Sequence, residues 1–223
     1  LYDWELGYQY TAPRLSLGVN LYYMKYKDQL VPTGMVNDDS NALNTNVPDS
    51  YRRGVELSAS WRATGWFTVG ANATFSQNRI ENYVDALKDS PTYGKELGDM
   101  TIAYSPDVIA NAFLNFHHRG FEAVFHTQHV GKQYFTNNEN DALSLDAYCV
   151  TNLNLAYTFR TRSARSVRLG LLINNLFNAE YESNGYGYSY MDTWSGPAPV
   201  RIDEAYYFPQ APLNVLANVT VKF

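Results

Sequence analysis

A two-residue periodicity runs through this 223-residue chain and restricts it to one fold class. Phe67, Val69, Ala71, Ala73 and Phe75 share one face, while Thr68, Gly70, Asn72, Thr74 and Ser76 share the other. Val55, Leu57, Ala59 and Trp61 alternate with Glu56, Ser58, Ser60 and Arg62. Leu153, Leu155, Tyr157 and Phe159 alternate with Asn152, Asn154, Ala156 and Thr158. Successive side chains of a strand point to opposite faces, so half-buried strands carry this pattern. No helical periodicity of comparable length competes with it. The chain is read as all-β, with nine strands expected over 2–11, 14–31, 51–61, 66–80, 106–117, 121–135, 147–160, 167–179 and 208–223. Several exceed the roughly 5–6 residues usual in soluble sheets.

The connections alternate in length. Short turns fall at 12–13, 62–65, 118–120 and 161–166, and long ones cover 32–50, 81–105, 136–146 and 180–207. Short turns on one rim and long loops on the other are the arrangement of an antiparallel transmembrane β-barrel, with short periplasmic turns and longer outer loops. Charge sorts with length. Counting the last loop from 182 to 207, the long connections hold 15 acidic and 3 basic residues, the rest of the chain 7 and 14. Arg160, Arg162, Arg165 and Arg168 surround one short turn, most simply as a solvated rim. Aromatic residues fall near strand ends: Tyr22, Tyr23, Tyr26, Trp61, Trp66, Phe67, Phe116, Phe121, Tyr134, Phe135, Tyr157, Phe159, Phe177 and Tyr181. Amphipathic rings suit the headgroup boundary.

Composition closes other routes. A charged fraction of 17% and an apolar fraction of 45% exclude a disordered chain. No run approaches the roughly 18 apolar residues of a membrane helix, but a membrane strand needs only about 10 of alternating character. A net charge of −5 argues against nucleic acid. Cys149 is the only cysteine, and no zinc spacing occurs.

The motifs then name a family by resemblance. Asn214-Val215-Leu216-Ala217-Asn218-Val219-Thr220-Val221-Lys222-Phe223 resembles the terminal β-signal of Gram-negative outer-membrane barrels, with Val215, Val219, Val221 and Phe223 on its apolar face. Ile173-Asn174-Asn175-Leu176-Phe177-Asn178-Ala179-Glu180-Tyr181 is similar to the penultimate-strand motif of TonB-dependent transporters, and Arg53-Gly54-Val55-Glu56-Leu57 to a strand opening common among them. Val130-Gly131-Lys132-Gln133-Tyr134, Asn140-Asp141 and Leu145-Asp146-Ala147-Tyr148 resemble their Bacteroidetes members.

The resemblance implies an outer-membrane transporter energised by the TonB complex, inserted by the barrel assembly machinery and bathed in lipid and lipopolysaccharide. Its cargo would be a scarce small-molecule nutrient, an iron chelate such as a siderophore or haem before cobalamin, glycan or peptide. Neither plug domain nor TonB box is found in the chain. Residues 1–223 are therefore expected to be the last nine or so strands of an about 22-stranded barrel, with plug and earlier strands elsewhere. The odd strand count agrees, since bacterial barrels are even-stranded. The rival readings are a passive porin, a surface adhesin barrel and a secreted carbohydrate-binding module.

Candidate site residues come from the long connections. Tyr186, Tyr188, Tyr190 and Trp194 lie in the last one, where Tyr alternates with Gly. Their rings could stack on a planar chelate or a sugar while the hydroxyls hydrogen-bond, and packing of loop on loop is the simpler alternative. The −12 of the loops would repel a strongly anionic complex within a Debye length of about 8 Å, favouring neutral or cationic cargo. The oxygen-rich stretches Asn137-Asn138-Glu139-Asn140-Asp141 and Asn37-Asp38-Asp39-Ser40-Asn41 lack EF-hand spacing and read as plain loops before calcium sites. His117, His118, His126 and His129 fall on one expected hairpin and read as ordinary polar residues before metal ligands. Cys149 is expected to bury its thiol against barrel or lipid. No nucleophile–base arrangement or phosphate loop is present, so neither an enzyme nor a cofactor is expected.

Overall fold

Register turns the alternation into a wall with two unlike faces. The computed structural model describes residues 1–37 and 41–223. Among them fourteen strands form: β1 (Tyr2–Ala12), β2 (Leu15–Val36), β3 (Ala42–Arg62), β4 (Phe67–Ile80), β5 (Met100–Thr101), β6 (Val108–His118), β7 (Phe121–Val130), β8 (Gln133–Tyr134), β9 (Ser144–Leu145), β10 (Tyr148–Phe159), β11 (Ser166–Asn174), β12 (Glu182–Asp192), β13 (Val200–Pro209) and β14 (Asn214–Lys222). One antiparallel sheet runs β1-β2-β3-β4-β6-β7-β10-β11-β14, with β5 appended to β4. These are the nine strands expected from the alternation. The sheet's two edges, β1 and β14, have no further strand partner among the described residues.

Pairing carries the apolar set of each strand onto one face. Trp61, Val69, Leu114, Phe125, Leu153, Ile173 and Val215 lie in one cross-strand row. Leu6, Leu21, Val55, Phe75 and Val108 form another. Many of these side chains are exposed, such as Leu21 at 47% and Val215 at 52%. A slip of one residue would turn every such row over, so the apolar face itself holds the register.

The opposite face is polar. Glu5, Gln9, Asn20, Glu56, Ser58, Asn72 and Thr74 help to line an open hollow of about 790 Å³. Asn20 Nδ2 donates to Glu5 and Glu56 at 3.4 and 3.3 Å, and Asn111 to Asn72 at 3.2 Å. Near the short turns, Arg168 donates a fork to Glu122 at 2.8 and 2.7 Å.

Two aromatic belts bound the apolar face. Trp66 meets Phe67 and Phe116, Phe116 meets Phe121, and Tyr157 stacks on Phe159 at the short-turn rim. Tyr2, Trp4, Tyr23 and Tyr51 form a chain of ring contacts at the other rim. Tyr51 and Trp61 share β3. At about 3.3 Å per residue and a barrel tilt of 35–45°, the band between them is roughly 25 Å tall, the height of a lipid-facing band.

The structure departs from the sequence reading above the upper belt. β2 and β3 continue as a hairpin well beyond their expected ends, so most of 32–50 is strand rather than loop. Its inner side buries Val31 and Val47 with Ile80, Tyr83 and Ile102. Phe135 is no belt residue: it is 1% exposed and packs with Leu143 and Leu145 in a second core. Asn137 joins the parts, its Nδ2 donating to Pro32 O at 2.6 Å and its Oδ1 accepting from Ala103 N at 2.7 Å. The expected loop at 180–207 is largely the hairpin β12–β13, and the last barrel strand starts at Asn214, not at 208. β7 stops at Val130 rather than 135.

β11 also stops early, at Asn174, because its motif builds a knot instead of more strand. Asn175 and Asn178 take positive φ of 50° and 53°, which asparagine tolerates better than most residues. Asn175 accepts from Ala179 N at 2.8 Å and donates to the carbonyls of Ala179 and Ala211 at 2.9 and 3.2 Å. Its main-chain N–H reaches Asn152 Oδ1 at 2.9 Å, and Leu213 N donates to Asn178 Oδ1 at 2.9 Å. One motif thus ties β10, β11 and the approach to β14.

Candidate ligand site on the outer hairpin

The Tyr–Gly alternation of 185–190 is a strand, not a bending loop. β12 pairs with β13 so that Tyr186, Tyr188 and Tyr190 stand opposite Tyr206, Glu204 and Ile202. All six share one face. The glycines are on the other, where the hairpin rests on Phe135 and Leu143: a Cβ at Gly185 would stand 2.7 Å from Phe135 Cζ, and one at Gly187 2.9 Å from Leu143 Cδ2. Tyr207, also on that side, donates to Ser144 O at 3.1 Å. Glycine is needed there for closeness, so the tyrosine face is left open.

Three phenols converge on one carboxylate. Tyr188 and Tyr206 donate to Glu204 Oε2 at 2.6 and 2.8 Å, and Tyr190 to Oε1 at 3.1 Å. Tyr186 stacks on Tyr206 with centroids 5.0 Å apart and planes 16° from parallel, and meets Phe208 at 6.2 Å. Hydrogen bonding to Glu204 raises the pKa of Tyr188, Tyr190 and Tyr206, and the donated bonds, that of Tyr188 first, lower that of Glu204. The result is a preorganised aromatic platform around a single negative charge. Trp194 does not join it. It stands 92% exposed in the hairpin turn, held by Asp192 Oδ1 accepting from its main-chain N–H at 2.8 Å, and makes no ring contact among the described residues. Sequence reasoning misses Glu204 and Tyr206 because 200–207 reads as part of the long loop, although Glu204, Tyr206 and Phe208 alternate across its end.

A family model for the β-barrel of TonB dependent receptor-like proteins matches residues 2–176. The chain belongs to that family. Solved structures agree in fold. The receptor barrel aligns with the ferric yersiniabactin uptake receptor FyuA from Yersinia pestis at a TM-score of 0.67 and 19% identity, covering 99% of this chain and 29% of that one. The ferric-catecholate import receptor Fiu from E. coli K12 gives 0.65 and 17%, covering 97% and 27%. The copper transporter OprC gives 0.65 and 20%, covering 97% and 30%. The chain therefore spans less than a third of the length of these solved relatives.

Within the receptor barrel, Val215, Val219 and Val221 pair with Ile173, Leu169 and Val167 on the apolar face of β14, and Phe223 beyond it is 93% exposed. The histidines divide: His117 and His126 are on the polar face opposite Glu122 and Asn152, His118 and His129 on the apolar face opposite Phe121 and Cys149. No group of three metal-binding side chains occurs among the described residues. Cys149 is exposed on the apolar face, so no barrel neighbour buries it. The stretch 137–141 spends its oxygens internally. Asn140 caps a 3-10 turn by accepting from Ala142 N at 3.0 Å, Glu139 binds Arg79 and Thr101, and Asp141 binds Lys132. The other oxygen-rich stretch includes Asp38, Asp39 and Ser40, which lie outside the described residues.

Proposed function

We propose that the intact protein is an outer-membrane receptor for TonB-dependent uptake of a scarce small-molecule nutrient, and that this chain is the C-terminal part of its barrel. The observation that carries the reading is the two-faced wall: a continuous apolar face between aromatic belts, backed by a polar concave face, in a chain of this family. The edges β1 and β14, which have no further strand partner among the described residues, support placing further strands beside them, and membership of the family supports a plug domain and a TonB contact in the rest of the protein. The apolar face of β14, with Val215, Val219, Val221 and Phe223, is the surface the barrel assembly machinery would read. The motif at 130–148 supports kinship with Bacteroidetes members.

Iron chelates are the cargo class we favour, since solved relatives include receptors for ferric yersiniabactin and ferric catecholates. Tyr186, Tyr188 and Tyr190, with Glu204 and Tyr206, would present the stacking platform, and Trp194 the exposed lip. Lys25, Lys27, Arg79 and Lys132 reach up from the wall and neighbouring segments to pair with Asp49, Glu81, Glu139 and Asp141. The field above the loops is therefore weaker than their −12 alone implies, although it still favours neutral or cationic cargo. The test is binding and uptake of ferric siderophores and haem by the intact receptor, with and without TonB. Changing Tyr186, Tyr188 and Tyr190 to Ala should weaken capture at least about tenfold, as loss of stacking and hydroxyl contacts does. Unchanged capture at normal surface level would remove the hairpin from the site, and uptake indifferent to TonB would sink the transport reading.

A further inference from the structure

Among the described residues Arg53 is a cation without a counter-charge, at the upper edge of the apolar face. It pairs across the sheet with Tyr23 and Gln77, in the first polar row above Leu21, Val55 and Phe75. One row higher, Lys25 is matched by Glu81 and Asp49, and Arg79 by Glu139. Arg53 has no carboxylate partner among the described residues. Its Nε and Nη2 donate to Gln77 Oε1 at 2.9 and 2.7 Å, and its guanidinium carbon stands 5.2 Å from the Tyr51 ring centroid. Two contacts thus fix the guanidinium plane and leave its other N–H groups without an acceptor among the described residues.

The surroundings say what kind of group those donors suit. Arg53 borders a groove of about 710 Å³ whose lining includes Tyr23, Val55, Phe75 and Val108. The groove runs from a charged head into the apolar band, so its ligand must itself be anionic at one end and apolar at the other. Asp107, the one carboxylate in the lining, precedes β6, on the far side of β4 from Arg53. A free anion would find no use for the groove, and a peptide would have to enter the lipid-facing band.

We propose that Arg53 binds the phosphate of an outer-leaflet lipid, with an acyl chain lying along Val55, Phe75 and Val108. The inference rests on the outer-membrane reading above and extends it to a specific site. It also gives the arginine of the Arg53-Gly54-Val55 strand opening a task that strand pairing does not require.

The test uses the intact receptor in detergent micelles, titrated with bis-phosphorylated lipid A, with its dephosphorylated form, or with the phosphorylated form against inorganic phosphate, and read by native mass spectrometry. Phosphorylated lipid A should bind about tenfold more tightly to the natural protein than to Arg53→Gln, the scale of a charge-assisted hydrogen-bonded contact. Arg53→Lys should fall between, because it keeps the charge and loses the fork. The dephosphorylated lipid should not discriminate the variants. Equal binding of phosphorylated lipid A by natural protein and Arg53→Gln, both with folded, heat-modifiable barrels, overturns the proposal. So does displacement of the lipid by inorganic phosphate at equal concentration. Either result would leave the uptake reading standing, since cargo capture is measured on the hairpin.

Discussion

Gly187 backs onto Phe135: a Cβ at position 187 would stand 2.9 Å from Phe135 Cδ2 and equally close to the Glu204 carbonyl. The tyrosine platform faces outward because its reverse side, at Gly185 and Gly187, admits nothing larger than hydrogen. Gly187→Val or Gly185→Val should therefore lift the hairpin from the second core, at a cost of about 1–3 kcal/mol as for other overpacked sites. Limited proteolysis should then cut within 182–209 while the barrel stays heat-modifiable. Hairpins as resistant as in the natural protein would show that the core can retreat.

The Glu204 cluster predicts a pH signature. Glu204 has a lowered pKa, so its contribution to hairpin order is full above the ordinary carboxylate range and is lost as pH falls through the lowered value. Tyr188, Tyr190 and Tyr206 are raised, so their contribution is full below the ordinary phenol range and lost as pH rises through the raised values. Tyrosinate absorbance should show late-titrating phenols that Glu204→Gln returns toward the ordinary range. Tyr83, pushed up to about 12 by burial, should stay late in the same variant. No change in the titration curve would mean the three phenols do not hold Glu204 in solution.

Arginine at the middle of the apolar band should separate the faces. Leu57→Arg should destabilise by roughly 2–4 kcal/mol, the cost of a charge on the lipid face near the midplane, and Leu155→Arg, in the row of the belt residue Phe116, by less. Asn72→Arg and Asn154→Arg, on the polar face, should be much milder. Folding in vesicles against urea provides the comparison, and equal tolerance of both pairs would contradict the lipid assignment.

Asn175→Ala should loosen the knot at the end of β11. Asn175 is 3% exposed and its amide serves Ala179 and Ala211, so the variant leaves buried backbone groups unpaired at about 1–3 kcal/mol. Asn175→Asp keeps the acceptor for Ala179 N and should lose less. The thermal midpoint of barrel unfolding ranks the three proteins.

The sequence by itself determined the wall. Alternation is a local property of each strand, and rows such as Trp61, Val69, Leu114 and Phe125 follow once every strand turns its apolar set the same way. The nine barrel strands, the two rims and the family could be read for that reason. The outer surface was decided only in three dimensions. Phe135 looks like any strand-end aromatic until Leu143 and Leu145 close over it, and Asn137 like any loop asparagine until Pro32, 105 residues away, accepts its hydrogen bond. Gly185 and Gly187 read as freedom in the chain, yet they are contact points beneath β12. Arg53 and Glu204 gain their meaning from neighbours on other strands, one by lacking a counter-charge among the described residues and the other by gathering three phenols. Alternation specifies which way a side chain points, whereas a loop core and a site depend on which distant side chains arrive beside it.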